Sequence, residues 1–282
     1  MICSQKGVDH VYEPLQLGRH HPHFLRLPHP PLSKFITLDR QEEGLLHDYF
    51  QALLSGELRL RNQWNPLGDG FSFFVDRLVV KVLSANALID WFAQHFDIDV
   101  IYLLRHPIPV AASLIKRGSA NFAPAYLENP HFCEAHLDPA TFRLAQDILA
   151  SGSTLQKYVL EWCLENLYPL EVCGQREWLT LTYEELVLRP MQISELICAR
   201  FNLRDPVRMS ETADRPSRTT TADSDHRIRS EGPGSLVEQS LQEVGSEEIE
   251  GVERLLEGFG VDVYKASSPY PSLAFSHFGA LN

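Results

Sequence analysis

The sequence predicts a three-layer α/β domain built on a mainly parallel sheet. Residues 77–83, 100–104 and 177–182 are short apolar runs, the pattern typical of strands that are buried in a parallel sheet. Each run is followed by a stretch whose apolar residues have helical spacing, and this alternation of strand and helix indicates an α/β fold.

Size and charge limit the possible functions. The chain has 282 residues, of which 44% are hydrophobic, so it can bury a substantial core, and we expect a single domain over residues 1–282. The formal net charge of −12 argues against a general binder of nucleic acid or acidic membranes, because such proteins need a basic face. It leaves room for a local basic pocket that binds an anionic cofactor.

The cysteines and the hydropathy pattern predict a cytoplasmic protein. The five cysteines are odd in number, scattered and without CxxC spacing, which indicates reduced thiols rather than a disulfide framework or a zinc site. We expect no membrane span and no signal peptide, because no apolar run approaches about 18 residues and the N-terminus lacks the pattern of a leader. The sequence does not indicate the oligomeric state.

The first predicted strand covers residues 10–15, ends at Pro14 and carries Glu13 near its end. A carboxylate at a strand end can accept the proton of an attacking hydroxyl, or it can be a salt-bridged structural group. His20, His21 and His23 follow in a Pro-rich stretch, which favours a loop over a metal site because the imidazoles lack fixed spacing.

The remaining elements follow from apolar spacing. Helices are predicted over residues 42–54, 85–96, 138–149, 153–170, 191–201 and 247–259. The segments 55–74 and 119–137 lack periodicity and are expected to be loops that shape an acceptor site, and residues from Tyr264 onward are expected to be a surface tail. Lys81 lies inside an apolar strand, so it is expected to reach a carboxylate, a phosphate or solvent.

The central unit is the stretch DVIYLLRHPIPVAASLIKRG at residues 99–118. Its strand, predicted to be buried on both faces, ends at Arg105-His106-Pro107, and Pro107 favours the first turn of a helix that carries Ser113. A guanidinium and a hydroxyl at the carboxyl edge of a parallel sheet would suit a phosphate group. The alternative is an ordinary crossover in which Arg105 pairs with a carboxylate.

The segment YLLRHPIPVAASLIKRG resembles the 3′-phosphate-binding segment of sulfotransferases that use 3′-phosphoadenosine 5′-phosphosulfate (PAPS). The resemblance implies that Arg105 and Ser113 hold the 3′-phosphate of the donor. VYEPL is similar to the Glu-Pro-Leu segment of carbohydrate sulfotransferases, which makes Glu13 the candidate general base. LTYEELVLRP resembles the segment whose tyrosine lies beside the adenine, so Tyr183 becomes an adenine contact.

The same resemblance extends from about Val11 to Tyr264. The basic, hydroxyl-rich loop at residues 215–221 is similar in position to a family loop that touches the 3′-phosphate, which implies roles for Ser217 and Arg218. An exposed turn without a binding role is the alternative interpretation of this loop.

The resemblance has one gap, at its beginning. Sulfotransferases open with a strand and an Arg-Ser-Gly-Thr loop that wraps the 5′-phosphosulfate, and nothing in the sequence matches this loop. Either the sequence begins downstream of that loop, or the chain is a relative without a working donor site. Without the loop's strand, an N-terminally truncated version of this P-loop nucleotide-binding fold would have apolar strand edges exposed in the middle of its sheet.

The implied reaction moves a sulfuryl group from PAPS to an acceptor hydroxyl or amine, possibly on a carbohydrate, and needs no metal. The alternative of most weight is a non-catalytic relative that binds nucleotide weakly or acts as a binding module. A nucleotide kinase or hydrolase is disfavoured because GxxxxGK[ST] is absent and no magnesium carboxylate is evident. The sequence does not reveal the acceptor.

Overall fold

The computed structural model is a mixed α/β structure that describes residues 1–28, 34–58, 60, 74–212, 234–239 and 241–277. Its strands form two parallel pairs in the described part of the chain. The first pair joins β1 (Val8–Tyr12) to β2 (Arg77–Lys81), and the second joins β3 (Ile101–Leu104) to β4 (Leu179–Thr182). The predicted parallel pairing is confirmed within each pair. The described strands do not, however, form the single continuous sheet that the predicted three-layer fold requires.

Helices make up most of the described elements. In chain order they are α1 (Arg40–Leu54), α2 (Ile89–His95), α3 (Pro107–Lys116), α4 (Ala123–Leu127), α5 (Pro130–His136), α6 (Pro139–Ser151), α7 (Thr154–Val172), α8 (Tyr183–Leu188), α9 (Pro190–Phe201), α10 (Pro206–Ser210), α11 (Ser235–Glu238) and α12 (Ser246–Gly258). Short 3-10 turns lie at Ile2–Ser4, Phe24–Arg26, Asn86–Leu88, Cys173–Gln175 and Leu273–Phe275. The six helices predicted from periodicity are all present, with shifts of a few residues at their ends and with a 3-10 turn replacing the first turn of the helix at 85–96.

The β3–β4 pair has helices on both of its faces. Tyr102 and Leu104 belong to a core cluster that includes residues of α3, α7 and α12. Leu179 and Leu181 face α9 and α10 in a second cluster. Leu103 is 49% exposed, so the expectation that this strand is buried on both faces is wrong at that residue.

The β1–β2 pair packs on α1 and α2 in a third cluster. The Asp39 carboxylate accepts hydrogen bonds from the Gln41 and Glu42 N–H groups, and the Glu42 carboxylate accepts from the Asp39 N–H, which completes a capping box. β1 starts earlier than predicted. It also ends earlier, at Tyr12, because the chain at Glu13 turns into the left-handed region with a φ of 51°.

Two sequence expectations about irregular segments are wrong. Residues 119–137 contain α4 and α5, which carry Pro124 and Pro130 in their first turns. Tyr264 is 1% exposed and forms an antiparallel bridge with Pro271, so this part of the C-terminal segment returns to the core instead of forming a surface tail.

The N-terminal unit consists of the β1–β2 pair, α1, α2 and the described residues between them, and polar contacts join it to α7 and to the turn that follows α7. The Asp90 carboxylate of α2 accepts hydrogen bonds from the Tyr168 hydroxyl and from Arg176 Nε, the latter at 2.8 Å. Lys34 forms an ion pair with Glu165. Because α7 also packs on α3, it connects the elements on which the candidate site residues lie.

The five cysteines are all unpaired in the structure. None of the helices in the described ranges combines the length and apolar character that a membrane crossing requires.

Candidate functional site

The structure brings Arg105 and Tyr183 together at the carboxyl edge of the β3–β4 pair. The register places Leu104 opposite Thr182, so the next residue of each strand leaves the sheet at the same edge. The Arg105 guanidinium carbon lies 4.4 Å from the centre of the Tyr183 ring, which is a cation–π contact. Carboxyl edges of parallel strands are where open α/β sheets bind ligands.

His106 fixes the start of α3 directly after Arg105. Its Nδ1 accepts a hydrogen bond from the Ile108 N–H at 3.2 Å, so the proton lies on Nε2, which donates to the Lys265 carbonyl at 3.1 Å. Burial lowers the pKa of His106 to about 4, so the ring is neutral at pH 7. The Trp162 indole N–H of α7 donates to the Arg105 carbonyl at 3.1 Å, which holds the backbone on its other side.

The Glu184 carboxylate links the two halves of this site. Its Oε1 accepts from the His106 backbone N–H at 3.0 Å, and its Oε2 accepts from the Tyr264 hydroxyl at 2.6 Å. Burial raises the pKa of Glu184, and the hydrogen bonds from Tyr264 and His106 oppose that rise. One side chain therefore connects the residue after Arg105, the residue after Tyr183 and the C-terminal segment.

The neighbouring Glu185 makes a second connection to the C-terminal segment. Its Oε1 accepts from the Ser276 hydroxyl and from the His277 N–H, both at 2.8 Å. The Glu185 N–H is at the same time capped by the Thr182 hydroxyl at the end of β4. The start of α8, where Tyr183 lies, is thus held from both sides.

Ser113 lies on α3 about two turns after its start and is partly exposed. Its hydroxyl forms no hydrogen bond within the described ranges, and its carbonyl accepts from the Arg117 backbone and side chain. The structure places it on the helix that begins beside Arg105, and no hydrogen bond in the described ranges joins the two side chains.

Glu13 lies at the end of β1, outside the β3–β4 pair. Its N–H donates to the Lys81 carbonyl at 2.9 Å, and its Oε2 accepts from the Leu83 N–H at 3.2 Å. Its Oε1 is buried and has no hydrogen-bond partner among the described residues. Burial raises the pKa of Glu13, and the Leu83 N–H and the charges of Lys81 and Lys34 oppose that rise.

The backbone of Glu13 is strained, because a φ of 51° is rare for a residue that is not glycine. Residues with such strained backbones cluster at functional sites, which makes this carboxylate a candidate reactive group. No hydrogen bond, ion pair or ring contact in the described part of the chain joins Glu13 to Arg105, Tyr183 or Ser113.

Lys81 and Lys34 supply the positive charge near Glu13. Lys81, on the exposed end of β2, lies 4.7 Å from the centre of the Tyr12 ring, so it reaches solvent over an aromatic face. Lys34 pairs with Glu165 and lies 3.7 Å from Glu161. Burial raises the pKa of both glutamates, and Lys34 opposes that rise.

Ser217 and Arg218 lie outside the described residues. In the described ranges no group of three His, Cys, Asp or Glu side chains is arranged to hold a metal ion.

Sequence reasoning missed His106, Glu184 and Tyr264 as parts of this site. Glu184 looks like an ordinary first-turn acid, and Tyr264 comes after the last predicted helix with no pattern to mark its burial. The one available signal for the glutamates near Lys34 is their spacing, since Glu161 and Glu165 are four residues apart on an otherwise apolar helix.

Comparison of the chain with protein-family models, with curated proteins and with solved structures found no match.

Proposed function

We propose that this chain is a sulfotransferase that moves a sulfuryl group from PAPS to a hydroxyl or amine of an acceptor, with a carbohydrate as the leading acceptor class. The observation that carries the proposal is the contact between Arg105 and Tyr183 at the carboxyl edge of β3 and β4. A guanidinium and an aromatic ring held side by side match a ligand that has both a phosphate and an adenine.

The start of α3 adds to this match. His106 and Pro107 begin the helix directly after Arg105, so the positive end of the helix dipole lies beside the guanidinium. Arg105 and Ser113 would bind the 3′-phosphate, and Tyr183 would contact the adenine. Ser217 and Arg218 would close over the nucleotide.

Sulfuryl transfer breaks the bond between the donor's sulfur and its bridging phosphate oxygen, forms a bond from the acceptor to the sulfur, and leaves adenosine 3′,5′-bisphosphate. Glu13 would take the proton of the acceptor hydroxyl or amine. The free Oε1 and the burial that raises the pKa of Glu13 support this role, because a carboxylate of higher pKa is a stronger base.

The first test is a calorimetric titration with adenosine 3′,5′-bisphosphate, with AMP as the ligand that lacks the 3′-phosphate. Wild type should bind the bisphosphate saturably and more tightly than AMP. Arg105→Ala should weaken bisphosphate binding by about 10- to 100-fold, since a charged hydrogen-bonding group contributes about 1.5–3 kcal/mol. The affinity for AMP should change little.

The matched control is Arg143→Ala, which removes an exposed arginine from α6. It should leave bisphosphate binding at the wild-type level. A folded wild-type chain that does not distinguish the bisphosphate from AMP, or an equal loss in both variants, would contradict the proposed 3′-phosphate site.

A nucleotide-binding relative without transferase activity is the second candidate. The observation that favours it is the separation of the described strands into two pairs, with Glu13 on one pair and Arg105 on the other. Bisphosphate binding that Arg105→Ala abolishes, together with no labelled sulfate transferred from PAPS to sugar or amine acceptors, would identify this candidate.

A further inference from the structure

The C-terminal segment Val261 to His277 reaches the candidate nucleotide site through side chains that no part of the proposed chemistry uses. Tyr264 is 1% exposed, and its ring lies 5.0 Å from the His106 ring in an edge-to-face arrangement. Its hydroxyl donates to Glu184 at 2.6 Å. The buried Tyr264 is thus attached to both strand ends that carry Arg105 and Tyr183.

The geometry at Glu184 explains what this attachment can do. The position of Arg105 relative to Tyr183 depends on two backbone segments that no hydrogen bond of the β3–β4 ladder joins beyond Leu104 and Thr182. Glu184 joins them there, since its backbone follows Tyr183 and its Oε1 binds the N–H of His106. A carboxylate held at one oxygen can rotate, whereas the Tyr264 hydroxyl fixes the second oxygen.

The segment is itself anchored around Tyr264. The Ala266 N–H donates to the Glu253 carboxylate of α12, and the Ser272 N–H donates to the Val263 carbonyl at 2.8 Å. The Lys265 carbonyl accepts from His106 at 3.1 Å. The hydroxyl of Tyr264 is therefore presented to Glu184 by a segment that is fixed on both sides of it.

We propose that Tyr264 and Glu184 are positioning residues that hold the Arg105 guanidinium over the Tyr183 ring and so preorganise the nucleotide site. That Arg105 and Tyr183 bind a nucleotide rests on the proposed function, whereas the positioning of Arg105 by Tyr264 and Glu184 does not. Preorganisation of this kind increases affinity because the ligand does not have to order the binding groups.

The test uses Tyr264→Phe, which removes the hydroxyl and keeps the buried ring. Tyr158→Phe is the matched control, because it also removes a hydroxyl that donates a hydrogen bond. The acceptor of the Tyr158 hydroxyl is the Ser119 backbone carbonyl, which lies beyond the opposite end of α3 from Arg105. A third variant, Glu184→Gln, keeps an oxygen that can accept from His106 and an amide that can donate to the Tyr264 hydroxyl.

The first readout is the NMR signal of the Arg105 side chain in protein labelled at arginine nitrogen, assigned by its loss in Arg105→Lys. In wild type without ligand the ring current of Tyr183 should shift this signal from its ordinary position. Tyr264→Phe should move it back toward that position, while Tyr158→Phe and Glu184→Gln should leave it close to wild type. An unchanged Arg105 signal in Tyr264→Phe would overturn the proposal.

The second readout is the affinity for adenosine 3′,5′-bisphosphate. Tyr264→Phe should raise the Kd by about three- to tenfold, with Tyr158→Phe and Glu184→Gln near wild type. Equal affinities in Tyr264→Phe and wild type would contradict preorganisation. The wild-type chain could fail to bind the bisphosphate while its Arg105 signal still responds to Tyr264→Phe. This result would contradict the proposed function and support the positioning role of Tyr264.

Discussion

His106 illustrates how one residue can serve the local chain and the tertiary structure at once. Its Nδ1 caps α3 by accepting from Ile108, and its Nε2 donates to the Lys265 carbonyl of the C-terminal segment. The bond from Ile108 requires the neutral ring, because a protonated imidazole has no acceptor, whereas Nε2 can donate in either protonation state. The cap of α3, directly after Arg105, therefore depends on the protonation state of the buried His106 ring.

This dependence predicts a pH effect on stability. Burial lowers the pKa of His106 to about 4 in the folded chain, against about 6.5 in the unfolded chain. Between these values the unfolded state binds a proton that the folded state does not, so the free energy of unfolding should fall as the pH decreases from 6.5 to 4. The maximum contribution is about 3 kcal/mol, from about 2.5 pKa units at 1.36 kcal/mol each.

Urea unfolding at several pH values would measure it, with His106→Asn for comparison. Asparagine accepts hydrogen bonds well at a helix N-cap and does not titrate. Its loss of stability below pH 6.5 should be smaller than that of wild type. Parallel pH profiles for the two proteins would show that His106 is not the titrating group. Glu184 and Glu161 have raised pKa values, so their contributions to the pH dependence of stability have the opposite sign. Because wild type and His106→Asn both contain these glutamates, their contributions cancel in the difference between the two pH profiles.

Within the single strand β3, two adjacent leucines differ strongly in solvent exposure. Leu104 is 1% exposed and lies in the cluster with α3 and α7, whereas Leu103 points to the other face and is 49% exposed. Both residues belong to one uninterrupted apolar run, so the pattern alone predicts equal burial. The difference arises because α9 and α10 cover that face mainly over β4. They bury Leu181, the strand partner of Leu103, and leave Leu103 itself half exposed.

The two leucines form an internal pair of matched substitutions. Leu104→Ala should lower the free energy of unfolding by about 2–5 kcal/mol, because it opens a cavity in a packed core. Leu103→Ala should cost about 1 kcal/mol, since a half-exposed side chain loses less burial. Chemical denaturation of both variants would measure the difference. Equal losses would indicate that another part of the chain covers Leu103 in solution.

At the scale of the whole molecule, α7 holds the separate clusters together. It packs on α3 and β3 through its apolar face, and it reaches the N-terminal unit through Tyr168 and Glu165. Asp90 is the centre of one of these links, because its carboxylate accepts from both Tyr168 and Arg176. The hydrogen bonds from Arg176 lower the pKa of Asp90 in the folded chain.

Asp90→Ala should therefore destabilise the folded chain by about 2 kcal/mol at pH 7, as expected for the loss of hydrogen bonds to a charged group. Because the pKa of Asp90 is lowered on folding, its contribution is present above the unfolded value of about 3.9 and is lost as the pH falls below it. The exposed Asp97→Ala is the control and should have little effect.

Calorimetry of the same variants would test the link between units. A single unfolding transition in wild type that becomes broader or splits in Asp90→Ala would agree with Asp90 as a connection between the clusters. Equal stability of Asp90→Ala and Asp97→Ala at pH 7 would contradict this role.

The amino-acid pattern is sufficient to predict most of the elements and their order. Apolar spacing predicts the long helices, Pro107 marks the start of α3, and the apolar runs predict β2, β3 and β4. These signals are local, since they depend on the period of the backbone and on the steric and hydrogen-bonding limits of single residues. Motif resemblance also selects Arg105 and Tyr183, which are 78 positions apart in the chain and 4.4 Å apart in the structure.

The side chains that support this contact are brought together by the fold and are not marked in the sequence. Glu184, His106 and Tyr264 meet because β3 and β4 are in register and the chain after α12 returns to the core. The unpartnered oxygen and left-handed backbone of Glu13 likewise depend on how β1 and β2 end together. Such features arise from contacts between residues that are distant in sequence. The free energy of these contacts depends on packing and desolvation, and these effects leave no periodic pattern in the sequence.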